Sequence, residues 1–472
     1  MALIIAGDRS NSGKTTITLA ILSYLRQQQK IVQSFKVGPD YIDPMFHAKI
    51  TDRPCRNLDP ILTSPAYVKT CFDRHAATAD YAVIEGVMGL FDGVQLRSDW
   101  QGEGDASLLP NDYASTAHGA RLLNVPIVLV IDCSRLSGSV AAIVHGYCSF
   151  DPTLKIAGLI LNRVGSDRHL ELLKTAIAPL NIPILGVLRR HAEITLPDRH
   201  LGLVPTDELP DLPRTFDRLA QLATESFRWD QLLPLLQCSP SSPSSAPPIA
   251  LSSTPVKVAI ARDRAFNFYY ADNLELLEQF GATLIPWSPL VEPFPHDVDG
   301  LYLGGGFPEL FAQSLSQNHT ARHSLHKLIA AGLPTYAECG GLMYLCDALV
   351  DLKGQSWPML GILPATTLMS SALTLGYRQG IAQVSSPLMP AGAIVRGHEF
   401  HHSKLASSQL PNLFHSTGLS PHATPQPEGW SLANVHASYL HMHWGTTPHL
   451  PQQFIQACAR YQASRPVPEQ IA

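Results

Sequence analysis

Leu3 to Ala6 form a short apolar run, and Gly7-Asp8-Arg9-Ser10-Asn11-Ser12-Gly13-Lys14-Thr15-Thr16 follows before an apolar-periodic stretch from Ile17 to Leu25. A strand, a Gly/Ser loop ending in G-K-T-T and a helix make the arrangement that cradles phosphate. Loop N–H groups and the positive helix N-terminus face the anion. In this reading Gly13, Lys14, Thr15 and Thr16 bind ATP, Lys14 reaching the β- and γ-phosphates and the Thr15 hydroxyl binding Mg²⁺. The spacing departs from G-x-x-x-x-G-K-S/T, because Gly7 is one residue early and Asp8 stands at the first Gly position. Asn11 can take the left-handed conformation nearly as Gly does.

Apolar strands then alternate with helical stretches, which predicts a doubly wound parallel sheet. Ile31 to Lys36 is a strand running into K-V-G-P-D-Y-I-D-P, which places Asp40 and Asp43 on a stiff loop at a strand's C-terminal end. Open α/β sheets bind ligands there. Two carboxylates at that place can hold Mg²⁺ or position a reacting group, although Asp beside Pro also makes ordinary turns. Tyr81 to Ile84 leads into E-G-V-M-G-L-F-D-G. Glu85 at the end of such a strand suits a metal-binding or water-positioning role. Pro126 to Asp132, Ile156 to Asn162 and Ile184 to Leu188 are further strands, and Leu196 to Leu203 reads as a loop. The Asn162 amide suits a purine edge, with a cap or turn as the plainer alternative.

Residues 237–255 are rich in Ser and Pro and cannot pack a core. They divide the 472-residue chain into a P-loop ATP-binding domain, 1–236, and a second domain, 256–460. The net charge of -5 and the absence of Lys/Arg runs argue against nucleic acid. Eight scattered cysteines fit reduced thiols in a cytoplasmic enzyme better than disulfides or zinc. The N-terminus has no basic n-region or cleavage pattern, and no 18-residue apolar run appears, so neither a signal peptide nor a membrane span is expected.

The second domain restarts with strands at Val256–Ala261, Ala282–Pro286 and Asp299–Leu303, the last ending in Gly304-Gly305-Gly306. A triple Gly after a strand lets backbone N–H groups point at a ligand, as an oxyanion hole requires, and also suits a plain turn. In L-P-T-Y-A-E-C-G-G-L-M-Y-L a strand turns into a helix with Cys339 at the corner. That is nucleophile-elbow geometry, in which the helix end favours thiolate over thiol. A buried structural Cys before a glycine turn is the alternative. A thiol nucleophile needs a base. Candidates are His398, His401 and His402 in G-H-E-F-H-H-S, and His436, His441 and His443 in H-A-S-Y-L-H-M-H-W. As one strand, Val435 to Trp444 would put Tyr439, His441 and His443 on one face and His436 on the other.

The ordered set of these motifs resembles the cobyrinic acid a,c-diamide synthase family, glutamine amidotransferases of corrinoid biosynthesis. F-K-V-G-P-D-Y-I-D-P, E-G-V-M-G-L-F-D-G, I-L-N-R-V-G-S and L-P-D-R-H-L-G-L carry it in the first half, which resembles dethiobiotin synthetase-like P-loop ligases. Y-L-G-G-G-F-P-E, Y-A-E-C-G-G-L-M-Y-L, G-H-E-F-H-H-S and A-S-Y-L-H-M-H-W carry it in the second. The resemblance spans the chain outside the linker. It implies two α/β domains, an N-terminal P-loop sheet and a C-terminal flavodoxin-like glutamine amidotransferase. It makes Cys339 the glutaminase nucleophile and His441 its activating histidine. Class I amidotransferases carry a Glu two residues after that His, where this chain has His443. It also assigns Asp40, Ile42, Asp43, Glu85 and Asp92 to the ATP-dependent half.

The activity implied is ATP-dependent amidation of the a and c carboxylates of cobyrinic acid through an acyl phosphate, with glutamine or ammonia as nitrogen donor. Mg²⁺ is expected near Thr15, Glu85 and Asp40. Gly305, Gly306 and Gly340, with Gly304 in the same turn, are expected to surround the oxyanion. A homodimer is compatible with this reading. Two rival readings are open. One is amidation of another tetrapyrrole, hydrogenobyrinic acid or Ni-sirohydrochlorin. The other is a non-catalytic nucleotide sensor with a degenerate amidotransferase domain.

Overall fold

The computed structural model describes residues 2–95, 112–190, 198–199, 202–209, 211–238, 255–406, 411–420 and 422–465. Residues 239–254 of the expected linker, and four of the eight residues of L-P-D-R-H-L-G-L, lie outside these. The chain divides into two compact units, residues 1–60 with 64–246, and 61–63 with 247–472.

The N-terminal unit alternates strands and helices. Its elements are β1 (Leu3–Gly7), α1 (Lys14–Gln27), β2 (Val32–Val37), α2 (Ile42–Thr51), β3 (Arg56–Leu58), α3 (Pro65–Ala76), β4 (Tyr81–Glu85), α4 (Thr116–Leu123), β5 (Ile127–Asp132), α5 (Val140–Phe150), β6 (Ile156–Val164), α6 (Asp167–Ile177) and β7 (Ile184–Arg189). The sheet order is β3-β2-β4-β1-β5-β6-β7 and every pairing is parallel. Buried on both faces, the strands read as unbroken apolar runs: β5 is Ile-Val-Leu-Val-Ile-Asp with all six residues buried. A short antiparallel pair, β8 (Asp198–Arg199) and β9 (Gly202–Leu203), takes the place of the expected loop at 196–203. Helices α7 (Leu212–Ser226) and α8 (Trp229–Leu236) complete the unit.

The strand order changes direction at β1, between β4 and β5, so the loops after β1 and β4 open at a topological switch point. Asn11 takes φ 60°, the left-handed conformation its short polar side chain tolerates. Gly13 takes φ 98° and caps α1, and a Cβ there would lie 2.1 Å from Asn162 Nδ2.

The C-terminal unit has one mixed sheet. Its elements are β10 (Val256–Ala261), α9 (Ala271–Gln279), β11 (Ala282–Trp287), β12 (Gly300–Leu303), α10 (Ala312–Gln317), α11 (His319–Ala330), β13 (Thr335–Glu338), α12 (Gly340–Leu345), β14 (Cys346–Val350), β15 (Ser356–Pro358), β16 (Leu363–Ala382), β17 (Ile394–Leu405), β18 (Asn412–Gly418), β19 (Gln426–Leu432), β20 (Val435–Ser438) and α13 (His449–Ser464). The run β11-β10-β12-β13-β20 is parallel throughout. Beyond β20 the sheet continues as β19-β18-β16, paired antiparallel, with β17 also antiparallel to β16. This extension goes beyond the doubly wound core that the sequence reading describes.

The expected strand Val435 to Trp444 is corrected. The strand ends at Ser438 because carboxylates replace its ladder partners. Glu428 accepts from Ser438 Oγ at 2.7 Å and from the Tyr439 N–H at 2.6 Å, and Glu338 accepts from the Met442 N–H at 3.1 Å. Tyr439, His441 and His443 therefore do not share a strand face.

Candidate active site

The phosphate loop closes on itself. Lys14 Nζ donates to the carbonyls of Arg9 and Met88, and the Leu90 N–H donates to the Gly7 carbonyl at 2.9 Å. Thr15 and Thr16 follow Lys14 in the first turn of α1, where the N–H groups lack helical partners. The Asn162 Nδ2 donates to the Ser12 carbonyl at 2.8 Å, and its Oδ1 accepts from the Arg163 N–H. The side chain braces the phosphate loop, a role that neither the purine reading nor the cap or turn reading names.

Beneath the loop lies a buried cluster of charge. Thr15 Oγ1 donates to Glu85 Oε1 at 2.7 Å and lies 3.4 Å from Asp43 Oδ2. Lys36 Nζ sits 2.6 Å from Asp43, 2.9 Å from Glu85 and 3.8 Å from Asp40. Burial works to discharge Lys36, but those three carboxylates outweigh it and hold the ammonium well above the usual lysine range. Burial also opposes ionisation of Glu85, but Lys36 and His47 hold it well below the carboxylate range. His47 Nε2 meets Glu85 Oε2 at 2.8 Å and its Nδ1 lies 3.4 Å from Cys55 Sγ. Burial disfavours its charge, yet Cys55 and Glu85 raise its pKa to about 10. Burial, and then Asp40 and Glu85, push the Asp43 carboxyl well up, so it holds a proton more readily than Glu85 does.

Asp40 plays a second part, because its Oδ1 accepts from the N–H groups of Ile42 and Asp43 and starts α2. Ile42 is buried in the first turn. Asp92 Oδ2 accepts from the Gly89 N–H at 2.8 Å and shapes the loop after β4. Lys36 and His47 were missed in the sequence reading. The signal for Lys36 was a lysine inside an apolar strand that leads to Asp40 and Asp43; nothing in the spacing singled out His47.

The second site is built around Cys339. It joins β13 to α12 at φ 47° and ψ -99°, a backbone strain held by the Cys339 N–H bond to the Ser438 carbonyl and the Met343 N–H bond to the Cys339 carbonyl. Gly341 is required by space, since a Cβ there would lie 2.3 Å from the Leu303 carbonyl oxygen. Gly340 packs against the triple-Gly turn, where a Cβ would be 3.1 Å from the Gly306 nitrogen. Gly304 is withdrawn from the oxyanion set, because its N–H donates to Tyr269 Oη at 2.9 Å. Gly305 makes room for the histidine: a Cβ would sit 2.5 Å from His441 Cε1. The structure thus gathers Cys339, Gly340, Gly306, Gly305 and His441.

His441 is pinned through its main chain, which exchanges two 2.9 Å hydrogen bonds with His398. Its ring Nδ1 lies 3.9 Å from Glu338 Oε2. His443 turns elsewhere, with Nε2 3.9 Å from Asp272 and Nδ1 accepting from the Gly445 N–H. His436 lies against Ser386, and His401 stacks on Tyr439 with centroids 3.9 Å apart. Of the histidine candidates, the geometry favours His441.

The expected thiolate is corrected. Burial, and then the Glu309 carboxylate, push the Cys339 thiol well up despite the Gly340 N–H on its sulfur. Burial, with His398 and His401, pulls His441 down to about 3. Both shifts favour thiol and neutral imidazole over a thiolate–imidazolium pair. Iodoacetamide alkylation of Cys339 without glutamine should keep accelerating as pH rises, with no plateau below pH about 9. Mass-spectrometric rates from pH 6 to 10 check this, and a plateau near neutrality would contradict it.

Comparison with known proteins agrees with this division of labour. Residues 3–204 match the family described as CobQ/CobB/MinD/ParA nucleotide binding domain, and residues 257–448 match the CobB/CobQ-like glutamine amidotransferase domain. A cobyrinate a,c-diamide synthase from Synechococcus sp. is 56% identical over 463 residues, covering 97% of this chain and 98% of that protein. One from Synechocystis sp. is 54% identical over 470 residues, covering 98% and 94%. A hydrogenobyrinate a,c-diamide synthase from Streptomyces coelicolor is 40% identical over 498 residues, covering 97% of each. With two sites of the required kinds and relatives alike over nearly their whole length, the chain belongs to the cobyrinate a,c-diamide synthase family.

Proposed function

We propose that this chain amidates the a and c carboxylates of cobyrinate, using ATP and glutamine, in cobalamin biosynthesis. One observation carries the reading: a single chain holds both a phosphate loop over buried carboxylates and an elbow cysteine whose neighbour Gly340 packs on the same glycine turn as His441. A carboxylate is a poor acyl donor. Transfer of the γ-phosphoryl of ATP to its oxygen forms an acyl phosphate and ADP. Lys14 and the α1 N-terminus hold the phosphates, and Lys36 fixes the carboxylates below them.

Thr15, Asp43 and Glu85, with Asp40, gather the hard oxygen donors that suit Mg²⁺. When bound, the ion supplies positive charge to the phosphoryl oxygens.

At the second site Cys339 Sγ attacks the glutamine amide carbon, and His441 takes the thiol proton and returns it to the departing ammonia. The Gly306 N–H is offered to the developing oxyanion, worth on the order of 3 kcal/mol, and the Gly340 N–H, which rests on the cysteine sulfur, is free to turn to it once the sulfur is bonded to carbon. Water then releases glutamate from the thioester, and ammonia displaces phosphate from the acyl phosphate. The likeness to a hydrogenobyrinate enzyme keeps that substrate as a second reading, and Ni-sirohydrochlorin belongs in the same assay.

Cys339→Ala should abolish glutamine-dependent diamide formation and leave ammonia-dependent formation intact. Product analysis with cobyrinate, hydrogenobyrinate and Ni-sirohydrochlorin checks this. Loss of both nitrogen sources in the variant would contradict the two-site reading, and no diamide from wild type with cobyrinate would contradict the substrate. Lys36→Met should lower cobyrinate-dependent ATP hydrolysis by about 100-fold or more, with glutaminase activity kept as the check on folding. Unchanged ATP turnover would contradict the role given to Lys36.

A further inference from the structure

His441 needs one ring nitrogen held so that the other can serve the thiol, as any imidazole base does. The residue two places on, His443, faces Asp272 instead. A different acid lies beside the ring, and it comes from the residue next to the nucleophile.

We infer that Glu338 is the positioning residue for His441, a carboxylate that directs Nδ1 and stabilises the imidazolium formed as Cys339 attacks glutamine. This rests on the glutaminase reading above. Glu338 ends β13, so the strand that delivers the nucleophile delivers this acid too. Its Oε2 lies 3.9 Å from His441 Nδ1, and both side chains are shut off from solvent. The carboxyl is not loose. Tyr302 Oη donates to it at 3.0 Å, Tyr336 Oη donates to its other oxygen, and the Met442 N–H donates at 3.1 Å. The last bond ties the peptide next to His441 to the same carboxyl that faces its ring.

With Nδ1 toward Glu338, Nε2 is the nitrogen for the proton of Cys339. The turn beside the ring supports this. A Cβ on Gly305 would lie 3.4 Å from His441 Nε2, and the next residue, Gly306, puts its nitrogen against Gly340, which follows the cysteine. Burial raises the Glu338 carboxyl to about 7, against the hydroxyl and N–H donors that favour its ionised form. The charged or titratable groups around it are Tyr302, Tyr336, Tyr269, Cys339 and His441, with His398 and His401 beyond His441. A carboxyl balanced near neutrality ionises readily when an imidazolium forms beside it. A 3.9 Å separation is longer than a hydrogen bond, and such contacts tighten when charge develops.

The test uses the full-length protein with ATP and cobyrinate. Glu338→Gln keeps the shape and the acceptor for Tyr336 and Met442 but removes the charge. Glutamate release should lose about 30-fold or more in kcat, with the KM for glutamine and ammonia-dependent amidation both within about twofold of wild type. In a His441→Ala background, the same substitution should change the residual rate less than about twofold, because the two residues act as a unit. A kcat within about threefold of wild type overturns the inference. So does an equal loss in both backgrounds, or a parallel fall in ammonia-dependent amidation, each of which would make Glu338 part of the scaffold only. A wild type that releases no glutamate refutes the glutaminase reading itself, and this inference with it.

Discussion

A Cβ on Gly341 would lie 2.3 Å from the carbonyl oxygen of Leu303, and one on Gly13 would lie 2.1 Å from the Asn162 amide nitrogen. Both contacts are closer than real Cβ atoms come. They mark the same constraint in two places: at the C-terminal end of a parallel strand, the chain must turn into a helix with backbone almost touching backbone or a bracing side chain. The helix start then faces the ligand with unpaired N–H groups. In one unit that arrangement forms the proposed phosphate site. In the other it forms the proposed oxyanion site, and it fixes Cys339 at a strained φ of 47°. The chemistry of both sites depends on these turns staying tight.

The two sites use opposite electrostatics. The proposed ATP site is rich in charge, with Lys36 and His47, whose pKa is raised, gripping Glu85. Removing one partner of such a buried set would strand the others, a cost of about 3–5 kcal/mol. Fixed charge suits phosphoryl transfer, in which the protein mainly positions and neutralises a substrate that is already charged. Around Cys339 and His441 burial instead favours the uncharged forms of the thiol and the imidazole. A buried, neutral pair limits thiol chemistry in the absence of glutamine and makes stabilisation of the charge-separated state the main demand on the site.

Much of this could be read from the sequence where local chemistry decides structure. The strands Leu3–Ala6 and Pro126–Asp132 are buried on both faces, so their apolar runs stand out. Lys14, Thr15 and Cys339 sit at strand-to-helix corners that the glycines announce. The long antiparallel strand β16 escaped notice because its exposure is irregular, with half-buried residues rather than a clean alternation. The end of β20 at Ser438 was hidden because the cause lies far along the chain, in Glu428 and Glu338. The same holds for the resting thiol. A helix N-terminus argues for thiolate, but burial and Glu309 outweigh it, and only three-dimensional structure brings them together. His47 reaches Glu85 only through the packing of α2 against the sheet, which no spacing reveals.

The account's central claim is that the buried charge cluster under the phosphate loop activates a carboxylate by phosphorylating it. The most direct measurement uses cobyrinate carrying ¹⁸O in its carboxylates, turned over with ATP and ammonia, with the released phosphate analysed by mass spectrometry. Activation through an acyl phosphate places one ¹⁸O in phosphate for each amide formed. Phosphate containing only oxygen from ATP and water, alongside normal diamide formation, would contradict the claim.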